Sequence, residues 1–124
     1  MTLLFILPAI GRKDGEEYIG TWKMEPLMIA ALRAITPTDI KTFLFDDRIE
    51  DIDYETDVDL VAISVETYTA SRAYRIAEQF RRRNIPVIMG GYHVTAYARQ
   101  KCLRKQKVPA AVSYRNRTRM SKLL

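Results

Sequence analysis

Cysteine is almost absent from this chain of 124 residues: Cys102 is the only one. An internal disulfide is therefore excluded, and the composition suits a reducing, cytoplasmic setting. There is no run of 18 apolar residues, so no segment is expected to cross a membrane. The opening MTLLFILPAI is apolar but has neither a basic leader nor a small-residue cleavage site, and it reads as a strand rather than a signal peptide. The glycines at 11 and 15 are not followed by Lys-Ser or Lys-Thr, which excludes a phosphate-binding P-loop there. Acidic residues are missing from the last stretch altogether. Residues 1–95 hold 11 Lys and Arg against all 15 acids, a net of −4, whereas residues 96–124 hold nine Lys and Arg and no acid, a net of +9. The overall charge of +5 therefore hides a sharp break at about residue 95.

What is present is ordinary for a globular domain: 48% apolar and 28% charged residues in a length that suits one domain with a real core. The organising stretch is DVDLVAISVETYTASRAYRIAEQFRRRNIPVIMGGYHVT, residues 57–95. Its run 58–65 is short, nearly unbroken and rich in β-branched residues, as in a strand covered on both faces. Thr69 or Ser71 can cap a following helix whose Ala73, Ile76, Ala77 and Phe80 recur at the spacing of one buried face. Arg72, Arg75, Glu78, Arg81 and Arg82 are assigned mostly to solvent. Asn84 suits the left-handed turn that ends this helix, and Pro86 opens a strand leading into Gly90-Gly91. Such a strand–helix–strand unit requires parallel strands and a right-handed crossover.

Before it, residues 2–8 read as a strand whose unbroken apolar character suggests a central position. Residues 9–24 form a long polar loop, a length usually associated with function. Pro26 suits the first turn of a helix to which Leu27, Met28, Ala30, Ala31, Ala34 and Ile35 give an apolar face, and Thr36-Pro37 stops it. Residues 40–45 read as the second strand. Asp46 and Asp47 raise the question of a metal site, but no third ligand is evident, and solvated caps or an ion pair with Arg48 explain them more simply. The expected architecture is a flavodoxin-like, doubly wound α/β sheet of order 2-1-3-4, with a fifth strand in doubt. Its strands are placed at 3–7, 40–45, 60–64 and 86–89, its helices at 26–35 and 71–83. Phe5, Leu32, Val61, Ile63, Ile76, Phe80 and Val87 are the expected core.

In open sheets of this kind the ligand lies beyond the carboxyl ends of the strands, at the switch point between the first and third. The segments there are Ser64-Val65-Glu66-Thr67-Tyr68-Thr69 and Gly90-Gly91-Tyr92-His93. Paired glycines after a strand form a tight turn or let a bulky ligand approach the backbone, because no Cβ intervenes. DLVAISVETYT followed by SRAYRIAEQFRRRNIPVIMGGYHVT resembles the cobalamin-binding domain that precedes the catalytic barrel of cobalamin-dependent radical S-adenosylmethionine enzymes. The resemblance extends over residues 3–95. It implies cobalamin as cofactor and partner, bound by Ser64, Glu66, Thr67, Tyr68, Gly90, Gly91, Tyr92 and His93, with Ser64 towards the nucleotide side and His93 near the corrin. On residue type alone, Ser64 could equally cap a strand end, the loop residues could face water, and His93 could be a surface histidine.

Two motifs of such systems do not occur here. The D-x-H-x-x-G of methionine-synthase-type carriers, whose histidine replaces the cofactor's own base on cobalt, has no counterpart, since His93 is the only histidine. The C-x-x-x-C-x-x-C that holds the iron–sulfur cluster has none either, so no such cluster and no metal ligand set is expected in these 124 residues, and the chain is not expected to be catalytic alone. Catalysis would belong to a radical S-adenosylmethionine domain or protein acting with it.

After residue 95 the family continues with an acidic helix and a strand ending in Gly-Glu; this chain offers a basic helix at 96–105 and a poor strand at 108–114. A truncated or frame-altered end would explain both the charge break and the lost resemblance. Residues 1–95 are accordingly read as one domain and 96–124 as a basic segment. Cys102 lies among Lys101, Arg104 and Lys105, which would lower its pKa if they are close in space. Two other functions compete. A phosphate-accepting receiver needs an aspartate where Ser64 stands and acids where Ala9-Ile10 stand. A small binding or regulatory domain whose basic tail contacts nucleic acid could stack bases on Tyr97 and Tyr114, but unopposed cations bind phosphate non-specifically whatever their purpose.

Overall fold

Four short apolar runs pair side by side into one parallel sheet, β1 (Thr2–Leu7), β2 (Lys41–Asp46), β3 (Leu60–Ser64) and β4 (Val87–Gly90), in the order β2-β1-β3-β4. The structure is a computed structural model and describes residues 1–10 and 25–96. The order and direction are those expected from the sequence. The expectations for most of the first loop, for the basic helix and fifth strand beyond residue 96, and for Cys102, Tyr97 and Tyr114 lie outside the described residues.

Register follows the apolar alternation of β1. Leu4 and Ile6 stand opposite Val61 and Ile63 of β3, and Leu3 and Phe5 opposite Leu60 and Ala62. Successive side chains point to opposite faces, so β1 feeds two cores. One contains Leu4, Ile6, Val61, Ile63 and Met89 beneath helix α2 (Ala70–Arg82); the other contains Leu3, Phe5, Ile29 and Ile40 beneath helix α1 (Leu27–Ile35). The helices lie on opposite faces, as two crossovers of the same hand require when β1–α1–β2 and β3–α2–β4 run outwards in opposite directions. Of the expected core, Phe5, Val61, Ile63, Ile76 and Phe80 are buried; Leu32 and Val87 are half-buried against it.

The helices depart from expectation in instructive ways. A 3-10 turn over Thr67–Thr69 leads directly into α2, which starts at Ala70 and ends where Asn84 adopts φ 59°. In α1 the buried residue is Ile29, with Leu32 half-buried, whereas Leu27, Met28, Ala30, Ala31, Ala34 and Ile35 are exposed. Arg33 is the only charged residue of the nine, so the helix is apolar nearly all round, and periodicity alone cannot choose its inner face. Among the described residues no helix is long and apolar enough to cross a membrane.

Candidate functional site at the carboxyl edge of the sheet

The carboxyl ends of β3 and β4 lie in register, with Ser64 opposite Gly90. Beside them, on the face that carries α1, a cleft of about 170 Å³ opens between α1 and the strands. Its lining is apolar, including Phe5, Met28, Leu32, Leu60 and Ile88, with Ser64 as its one hydroxyl and Gly90 and Gly91 contributing backbone. Ser64 is 8% exposed, and its hydroxyl donates to the thioether sulfur of Met28 at 3.4 Å. That is a weak partner for a buried hydroxyl, and a ligand carrying an oxygen or nitrogen acceptor would be a stronger one.

Gly91 has φ 110°, and a Cβ built there would meet the Val65 carbonyl oxygen at 2.5 Å. Only glycine satisfies both constraints. The same carbonyl accepts the His93 N–H at 3.3 Å, while the Val65 N–H donates to the Gly90 carbonyl at 2.7 Å. Gly91 is thus a turn that draws the chain after β4 against the chain after β3, and the glycine pair leaves the end of β4 bare of side chains.

The other expected site residues divide between two places. Glu66 is half-buried, and its N–H donates to the Thr69 hydroxyl at 3.0 Å, closing the turn into α2; Thr67 and Tyr68 are exposed. Residues 92–96 are helical, with Tyr92 81% exposed and His93 turned towards α2, its ring edge-on to Tyr74 with centroids 6.1 Å apart. Ser64, Gly90 and Gly91 therefore come together at the cleft, whereas His93 packs with the helix on the other face of the sheet.

The polar groups at the edge of β2 are more engaged than the sequence suggests. Asp46 binds Arg48 through two hydrogen bonds of 2.8 and 2.7 Å, the expected pairing. This hydrogen bonding holds the Arg48 pKa above the ordinary arginine value; burial opposes it, and the charges of Asp46 and the neighbouring Tyr68 add to it. Asp47 is not solvated. It is 0% exposed and makes a bidentate pair with Arg72, itself 1% exposed, at 2.8 and 2.7 Å. Its Oδ2 also accepts the Ala9 N–H at 2.9 Å. The assignment of Arg72 to solvent is therefore corrected. A signal for this existed, because Arg72 lies one helical turn before Ile76 on the buried stripe, where a charge requires a partner. Among the described residues no group of three or more His, Cys, Asp or Glu is placed to hold a metal ion.

Over 70 residues the chain is 37% identical to a bacteriochlorophyllide d C-8(2)-methyltransferase of Chlorobaculum tepidum, a match covering 56% of this chain and 16% of that enzyme. The chain therefore corresponds to a small part of its relative. No protein-family profile matches the sequence, and no solved structure matches it.

Proposed function

We propose that this chain is a cobalamin-binding domain that positions a corrinoid for a radical S-adenosylmethionine enzyme. The observation that carries the reading is the cleft beside Ser64 and Gly90: an apolar slot with one under-satisfied hydroxyl, next to the end of β4, which its glycines leave free of side chains. The fit to the cofactor is chemical. A flat, apolar heterocycle with a few acceptor atoms, such as the nucleotide base of cobalamin, matches a slot whose walls are Phe5, Leu32, Leu60 and Ile88 and whose polar contact is a serine hydroxyl. The bare end of β4 leaves room for the bulkier corrin ring outside the sheet.

A bound corrinoid would supply a cobalt centre able to carry a methyl group. The protein's own part is binding and orientation: Ser64 holds the nucleotide side, and the Gly90-Gly91 backbone admits the ligand at close range. Similarity to a methyltransferase supports placing the chain in methyl-transfer chemistry. No three-cysteine cluster motif occurs in the 124 residues, so the reading gives this chain the cofactor and gives catalysis to a separate domain or protein. His93, turned beside Tyr74 on the face opposite the cleft, would not be expected to supply a nitrogen to a corrinoid held there.

Titrating the purified chain with hydroxocobalamin, read by absorbance and by electron spin resonance of the reduced cobalt, tests this directly. Saturable binding is expected, with cobinamide, which lacks the nucleotide, binding more weakly. Gly90→Val should abolish binding by filling the cleft, whereas His93→Ala should weaken it only slightly. Absence of binding at millimolar ligand discards the reading. A nitrogen splitting that disappears in His93→Ala would keep the cofactor and overturn the view of its lower face.

A further inference from the structure

An ion pair sealed from solvent is a poor source of stability, because dehydrating two charges offsets most of their attraction; apolar residues of the same size often do as well. Asp47 and Arg72 form such a pair. What they accomplish that two apolar side chains could not is to bind a third group. Asp47 Oδ2, already holding the Arg72 Nε, also accepts the N–H of Ala9. Ala9 lies two residues beyond β1. Asp47 itself directly follows β2, and its N–H donates to the Leu7 carbonyl at 3.0 Å. Arg72 belongs to the first turn of α2, the element that the chain enters after leaving β3 at Ser64. One carboxylate thus joins the ends of β1 and β2 to the start of α2, all at the edge that carries the cleft.

We propose that the Asp47–Arg72 pair is a positioning latch for the binding edge: it holds the chain leaving β1 at Ala9 in a fixed position relative to the end of β3 at Ser64. The ligand part of this proposal rests on the cobalamin reading above. Asp47 and Arg72 act through the Ala9 amide and the first turn of α2, not on the ligand. The geometry is specific, since a guanidinium gripped by both carboxylate oxygens has a fixed orientation, and the Ala9 N–H arrives at one of those two oxygens.

The test separates position from stability. In the full chain, the double substitution Asp47→Leu with Arg72→Met exchanges the pair for apolar volume but removes the acceptor for Ala9. It is expected to melt within a few degrees of wild type while binding hydroxocobalamin at least about tenfold more weakly, the scale typical of losing a supporting contact behind a ligand site. Binding within threefold of wild type by a folded double variant overturns the latch. Amide hydrogen exchange at Ala9, measured without ligand, is a second readout that a merely space-filling role would not move. Slow exchange in wild type and fast exchange in the variant support the proposal; equal rates overturn it. Should the double variant be unfolded at the assay temperature, Asp47→Val with Arg72→Leu replaces it, which likewise removes the acceptor for Ala9: weaker binding by a folded protein supports the latch, unchanged binding overturns it. Wild-type chain that binds no cobalamin overturns the cobalamin reading and the ligand part with it, while the exchange rates still decide whether Ala9 is latched.

Discussion

Gly91 shows how much one residue can decide at this edge. Its positive φ and its approach to the Val65 carbonyl make any side chain costly there, whatever the ligand. Gly91→Ala is expected to destabilise the chain by about 2–4 kcal/mol, the sum of a strained left-handed backbone and a displaced carbonyl. Urea unfolding followed by circular dichroism measures this, and a loss below half of one kcal/mol, on the order of an ordinary surface substitution, would show that the turn relaxes freely. Gly90 is different in kind, since it sits in β4 opposite Ser64 and borders the cleft. The two glycines are adjacent and equivalent in sequence, yet one shapes the backbone turn and the other leaves the cleft open. Their place after an apolar run marked the end of β4, where the cleft lies; the division of labour between them depends on the position of the Val65 carbonyl, which belongs to another strand end.

α2 is the element most fully legible from the sequence. Its stripe of Ala73, Ile76, Ala77 and Phe80 is buried against Val61, Ile63 and Val65, as the 3.6-residue period requires. Asn84 supplies the left-handed residue after it, and Arg83 donates to the carbonyls of Tyr54, Glu55 and Thr56, tying the helix end to the connection before β3. Phe80 is fully buried, its ring 5.4 Å from that of Tyr54. Phe80→Ala should therefore cost about 3–5 kcal/mol through lost transfer energy and a residual cavity, enough to leave a domain of ordinary stability mostly unfolded at moderate temperature. A melting curve close to wild type would show that α2 packs less tightly than its burial implies. α1 is the contrasting element. Its existence and its end at Thr36 follow from the residues, but its inner face does not, because nearly every side chain could serve.

For the whole molecule, the charge break near residue 95 has a thermodynamic consequence that can be measured. Residues 113–124 contain no acid to pair with their cations and few apolar residues to bury, so they are expected to contribute little to folding. Deleting them should leave the melting temperature within a few degrees of that of the full chain. A large drop would show that they complete the domain and that its boundary lies later than residue 95.

The order of the sheet, the parallel direction of its strands and the helices between them were determined by sequence alone. Short β-branched runs, one amphipathic helix and a glycine pair after the last described strand admit few other arrangements, because parallel strands joined through helices obey strict chain geometry. Tertiary structure decided which side chains share a place. Ser64 meets Met28 from 36 positions away, and Asp47 meets Arg72 across 25. His93 and Ser64, both expected at one ligand, are directed to opposite faces of the sheet by the turn at Gly91. Periodicity records only whether a residue faces inward; the partner it finds there depends on how separate segments are brought together, and the burial of a charge such as Arg72 is tolerable only once that partner is in place.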